Sequence, residues 1–230
     1  MDRFPSTRQS LLREASSGAA PQAVAAVVEL YWKPVYKHLR LKWRLPDDDA
    51  RDVTQSAFAA LLEQQWLARF DAARGSFRTY LRTCVDGLVL DERAARRRLK
   101  RGGGQGTLSL DFAGAERELA LADPAPAPDE IFEREWQREV LSLAVADLRR
   151  LCEESGRADR FAIFSAYDLA TSHRPGYEAL AARHALPVTQ ITNHLAWARR
   201  ELKRLALARI HSTSGSEAEA RADARRLCGS

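Results

Sequence analysis

The sequence predicts an all-α protein: two helical domains joined by a flexible linker, the second ending in a helix-turn-helix. Three observations lead there. β-Branched residues are sparse while Ala, Leu, Arg and Glu dominate, a helix-forming composition. Apolar residues recur at three- and four-residue spacing through most of the chain. Residues 102–130 break that periodicity, opening on Gly102-Gly103-Gly104 and closing on Pro124-Ala125-Pro126-Ala127-Pro128. The expected division is an N-terminal segment 1–20, a helical domain 21–101, an acidic linker 102–130, a helix-turn-helix domain 131–211 and a tail 212–230.

At 230 residues there is room for one large or two small domains with real cores. The net charge of +5 and pI near 9.4 favour a polyanionic partner. Cys84, Cys152 and Cys228 lie far apart without metal-ligand spacing and read as reduced thiols. The opening MDRFPSTRQSLLREA lacks the apolar core of a signal peptide, and no run is apolar enough to span a bilayer. A cytoplasmic protein without membrane insertion is expected.

Within 1–20 a short, loosely held helix is expected to end near Ser16-Ser17-Gly18. From Pro21, Val24, Val27, Val28 and Tyr31 mark a helix. Pro34 sits where a new helix could begin or a kink could form, and Val35, Leu39 and Trp43 continue the face. Pro46-Asp47-Asp48-Asp49 starts the next helix with acids in its first turn, where the dipole favours them. Ala50, Val53, Ala57, Leu61 and Leu62 are expected inward; Asp52, Gln55, Ser56 and Ala59 share another face. Phe70 to Ser76 reads as a loop. Phe77 opens a helix with Leu81, Val85, Leu88 and Leu90 inward, ending in the basic run Arg93, Arg96, Arg97, Arg98, Lys100, Arg101. Such a run suits either a solvated helix end or a phosphate-contacting patch.

Asp129 can cap a helix whose apolar positions are Phe132, Trp136, Val140, Ala144, Leu148 and Leu151. A second helix around Phe161, Phe164 and Tyr167 leads through Thr171 to Gly176 into Tyr177–Leu205. There Ala185-Leu186-Pro187-Val188 breaks a short helix, because Pro187 cannot continue it. Thr189 is a candidate N-cap. Ile191, Leu195, Ala198, Leu202 and Leu205 then form one stripe, leaving Gln190, Thr192, Asn193, His194 and Trp197 near the helix start and Arg199, Arg200, Lys203 and Arg204 beyond. Amide and imidazole groups at the start of a second helix, with cations behind them, fit a DNA-reading helix. An ordinary helical hairpin with a basic face fits this segment too. After Ile210, HSTSGSEAEA reads as flexible and RADARRLCGS as a mildly amphipathic end.

Asp52-Val53-Thr54-Gln55 with Phe58, Phe70-Asp71, Gly75-Ser76-Phe77-Arg78-Thr79-Tyr80-Leu81, and Leu90-Asp91 with the arginine run resemble conserved region two of sigma-70-family RNA polymerase sigma factors. The segment from Pro187-Val188 to Ala198-Arg199-Arg200-Glu201-Leu202 resembles region four, in the short two-domain form of the extracytoplasmic function (ECF) type. The resemblance implies a non-enzymatic factor that binds core RNA polymerase and promoter DNA, needs no cofactor or metal, and is monomeric when free. An anti-sigma factor is a further candidate partner. It places Asp52, Gln55, Ser56 and Ala59 against the largest polymerase subunit. It places Phe70 to Tyr80 and the following helix, through Phe77, Arg78, Tyr80, Arg93, Arg96 and Arg97, at the minus-ten element. Gln190, Thr192, Asn193, His194, Trp197, Arg199, Arg200 and Lys203 fall at the minus-thirty-five element. Trp197 could instead pack on the preceding helix. Asp86-Gly87 stands where the family often has Arg-Asn, and Thr192 and His194 where Lys and Arg are commoner.

The acids of the linker, from Asp111 to Glu135, suit either a solvated tether or an electrostatic imitation of RNA in the polymerase exit channel. Two other functions fit parts of the chain less well. A helix-turn-helix regulator acting without core polymerase leaves the motifs of residues 50–98 unexplained. A nucleic-acid enzyme finds no support in five dispersed histidines without carboxylate pairing.

Overall fold

A computed structural model describes residues 21–63, 66–98, 109–120 and 128–228, all-α with no strand among them. The helix expected within 1–20, the glycines 102–104 and Pro124 to Ala127 lie outside the described residues. The chain divides into two compact units, Met1–Glu139 with Ile210–Ser230, and Val140–Arg209.

In the first unit, α1 (Pro21–Leu41) runs unbroken through Pro34 and buries Val24, Val27, Leu30, Tyr31, Val35 and Leu39 at helical spacing. The helix α2 (Asp47–Leu62) begins after Pro46 with three acids in its first turn and packs on α1. Its buried stripe is Ala50, Val53, Ala57, Phe58 and Leu61; Leu62, expected inward, is 44% exposed because Leu61 holds that position on the face. A 3₁₀ turn, Leu67–Arg69, leads to the loop before α3 (Phe77–Arg98). Ser76 caps α3, its Oγ accepting from the Thr79 N–H at 3.1 Å. The inward stripe of α3 is Phe77, Leu81, Val85 and Val89, a strict four-residue repeat. This corrects the expected register: Leu88 is half-buried and Leu90 is 56% exposed.

Two further helices of this unit lie where the sequence suggested a tether and a flexible tail. The first, α4 (Phe112–Ala120), is capped by Asp111, whose Oδ1 accepts from the Gly114 N–H at 2.9 Å. It packs on α1 through Phe112, edge-on to Trp32 with ring centroids 5.7 Å apart and tilted on Tyr36 at 5.1 Å. The last, α9 (Glu217–Cys228), is capped by Ser216, whose Oγ accepts from the Glu219 N–H at 3.2 Å.

The long α5 (Pro128–Glu154) contributes its first part to this unit and its remainder to the second. The second unit continues with α6 (Ala158–Asp168), α7 (Tyr177–His184) and α8 (Val188–Thr213), the last entering the first unit at Ile210. Its core is Leu148, Cys152, Ile163, Phe164, Leu180, Ile191, Leu195 and Ala198, so α5 buries Cys152 where Leu151 was expected. Cys84 and Cys152 are free thiols.

Candidate nucleic-acid interfaces

The turn between α7 and α8 is built by backbone geometry. Ala185 adopts the left-handed conformation, φ 52°, and the Leu186 N–H reaches back to Ala181 O at 3.0 Å while the Ala185 N–H reaches Ala182 O at 3.4 Å. This pair of bonds is a Schellman ending, here formed without the usual glycine. Pro187 then stands at the cap position just before α8, its carbonyl accepting from the Gln190 N–H at 2.9 Å. Thr189 therefore lies inside the first turn rather than capping it.

Ile191, Leu195 and Ala198 anchor α8 to the core, and their spacing turns the opposite face outward. Gln190, Thr192 and Asn193 are exposed at the start of the helix, as are Arg200 and Lys203 further along. His194 is half-buried; burial and the nearby charge of Arg160 hold its imidazole below the usual histidine value, so at neutral pH it is an uncharged donor and acceptor. Trp197 packs against the core cluster with the Arg160 guanidinium 4.9 Å from its ring centroid. Arg199 donates to both Asp168 oxygens, at 2.9 and 2.8 Å, and its guanidinium lies 5.7 Å from the Tyr167 ring. That side chain holds α8 to the end of α6, whereas Arg200 and Lys203 make no such side-chain bond among the described residues.

In the first unit, Asp52 is exposed on α2, with Gln55, Ser56 and Ala59 half-buried beside it on a face apart from the buried stripe. The segment before and into α3 is arranged differently from a simple exposed DNA-contacting loop. Phe77 is fully buried, edge-on to Tyr31 at 5.4 Å and to Phe70 at 5.3 Å. Tyr80 is half-buried, stacks obliquely on Phe70 and donates to Trp66 O at 2.8 Å; burial and its bond to Cys84 push the phenol up to about 12. Asp71 to Gly75 are exposed.

Arg78 is only 4% exposed and its guanidinium is gripped along two edges. It donates to both oxygens of Glu133, at 2.9 and 3.1 Å, and to both oxygens of Asp223, at 2.9 and 2.8 Å. The Trp136 ring lies 3.9 Å beneath it. Burial works against the charge, but the two carboxylates outweigh it and raise the pKa further. Sequence reasoning gave Arg78 to DNA and missed Glu133, Asp223 and Trp136, which come from segments far away in the chain. Arg93 is exposed, donating to Trp43 O at 3.2 Å with its guanidinium 4.9 Å from the Trp43 ring. The side chains of Arg96 and Arg97 lie outside the described residues.

The acids of the linker also have structural partners. Glu116 accepts from Arg40 at 2.6 Å and from the Tyr36 hydroxyl at 2.6 Å; Glu118 accepts from Lys37 at 2.6 Å and Lys33 at 3.2 Å. Glu135 accepts from Lys37 at 2.6 Å. These carboxylates face α1 and are neutralised there.

Among the described residues, no group of His, Cys, Asp and Glu could hold a metal ion, and no helix is long and apolar enough to cross a membrane. Neither a curated protein nor a solved structure matches the chain. Residues 28–99, about a third of the chain, match the family model for Sigma-70 region 2. That match takes in most of α1, the whole of α2 and α3, and the loop between them, and it supports a sigma-70 family member with a role in transcription initiation.

Proposed function

We propose that this chain is a sigma factor of the extracytoplasmic function type, which binds core RNA polymerase and directs it to promoters. The observation that supports it most is the region-two match over 28–99 followed, in a separate unit, by a helix-turn-helix with an exposed amide-bearing face. On this reading the α2 face of Asp52, Gln55, Ser56 and Ala59 meets the polymerase. The loop after Phe70 meets the minus-ten element with Arg78, Tyr80, Arg93, Arg96 and Arg97, and Phe77 sets the loop's position from the core. Gln190, Thr192, Asn193 and His194 read the minus-thirty-five element, flanked by Arg200 and Lys203 on phosphate, with Trp197 and Arg199 holding the helix in place. An anti-sigma factor and a cytoplasmic location belong to the same proposal. The described part of the acidic linker, α4 with Asp111, is a docked strap, since Glu116 and Glu118 are engaged with α1 cations. The test is co-sedimentation of the full chain with purified core polymerase. A helix-turn-helix regulator acting alone would bind DNA and leave the polymerase untouched.

A further inference from the structure

We propose that the C-terminal segment from Gly215 through α9 is an autoinhibitory latch, closed over the Phe70–Tyr80 segment that the sigma reading assigns to the minus-ten element. The proposal rests on that reading for the identity of the DNA, and on geometry for the closure. Glu219 holds two backbone groups at once: one oxygen accepts from the Phe77 N–H at 3.0 Å, the other from the Gly215 N–H at 2.8 Å. The Phe77 N–H is one of the unpaired donors at the start of α3, the kind of group a phosphate oxygen takes. One turn along α9, Asp223 grips Arg78 with both oxygens, as a phosphate grips a guanidinium. Carboxylates of the tail thus occupy both anion-accepting groups of the segment.

Shape reinforces charge. Gly215 is buried, and a Cβ there would meet the Phe70 ring at 2.5 Å, so only glycine lets the chain come down on the aromatic group of Phe70, Phe77 and Tyr80. Glu219, Ala222, Asp223 and Arg226 line one wall of a cleft whose other wall is the 72–76 loop with Arg78 and Thr79 of α3. Arg226 closes its rim toward Glu133 at 3.5 Å.

The latch can be opened in three chemically distinct ways: Gly215→Val by steric clash, Glu219→Gln with Asp223→Asn by loss of charge, and termination after Thr213. Each protein would be tested for binding to a fluorescently labelled random pool of single-stranded DNA, with hydrogen exchange followed over 71–80 and 217–228. A latch closed about nine-tenths of the time hides the site in proportion, so opening should tighten binding about tenfold. Adding Arg78→Ala to any opened variant should remove the gain, because the released guanidinium is then missing. Faster exchange over 71–80 with unchanged DNA affinity in all three variants would overturn the latch. So would loss of the first unit's cooperative melting in all three, which would make α9 a core element. Core polymerase pull-down with the same proteins separates the two readings. Failure to bind polymerase with the DNA gain intact defeats the sigma assignment and leaves the latch standing; polymerase binding without the gain defeats the latch alone.

Discussion

Asp86 shows how a single departure from a family pattern is absorbed. Its carboxylate accepts from His38 Nε2 at 2.8 Å, from Lys42 at 2.8 Å and from the Trp43 indole N–H at 2.6 Å, tying the end of α1 to the middle of α3. Burial opposes the charge, but the bonds from His38, Lys42 and Trp43 outweigh it and hold Asp86 well below the usual carboxylate range. Asp86→Ala should destabilise the protein by about 1–3 kcal/mol in urea unfolding, because it strands the buried His38 donor and releases Lys42 and Trp43. A depressed folded pKa contributes stability that is fully present above the unfolded value and lost as pH falls toward the folded one. The gap between wild type and Asp86→Asn should therefore hold steady from neutral pH down to about 4 and shrink below it. Gly87, the neighbouring departure, lies inside α3 with open space around an added Cβ. Gly87→Ala is expected to raise stability by about 0.5–1 kcal/mol, measured the same way. The Asp86 effect was not legible in the sequence, since its three donors sit more than forty residues upstream.

At the scale of elements, periodicity carried most of the information. The stripes of α1, the first part of α5 and α8 follow from apolar spacing alone. It slipped where two apolar residues adjoin: Leu61 and Val89 are buried while Leu62 and Leu90 are not. Val89→Ala should cost about 2 kcal/mol and Leu90→Ala almost nothing, a contrast that thermal melting would register. Two helices escaped notice because their burial comes from distant ion pairs and rings, yet each announced its start. Asp111 is an N-cap, and Ser216-x-x-Glu219 has the spacing of a capping box. In α8, the face was readable from spacing, whereas the commitment of Arg199 to Asp168 required the fold. Gln190→Ala or Asn193→Ala should relax preference at one or two promoter positions, at about 1–3 kcal/mol per lost base contact. Arg200→Ala or Lys203→Ala should weaken all sequences alike and lower the salt slope by about one per phosphate contact. Binding of an upstream-element library at several salt concentrations distinguishes these patterns.

For the whole molecule, the division of labour follows from the two units. The first carries the region-two match and the α2 face; the second presents the amide-bearing start of α8. Asp52 lies outside the buried stripe, so Asp52→Lys with Gln55→Ala should leave melting within about half a kcal/mol of wild type while removing polymerase binding. The sequence reads as two helical blocks around a break in periodicity, while the compact units divide at Glu139 and again at Ile210. What it hid is that residues 112–120 within the break and 217–228 within the tail fold back as α4 and α9, because their partners, Lys33, Lys37 and Arg40 for one and Arg78 for the other, look solvent-facing in a linear reading. The most direct measurement is transcription in vitro from a library of promoter fragments, with purified core polymerase alone and with this protein added, followed by mapping of the start sites. A sigma factor must produce defined starts that share upstream elements and vanish with Asp52→Lys and Gln55→Ala. Starts identical with and without the protein would contradict the account.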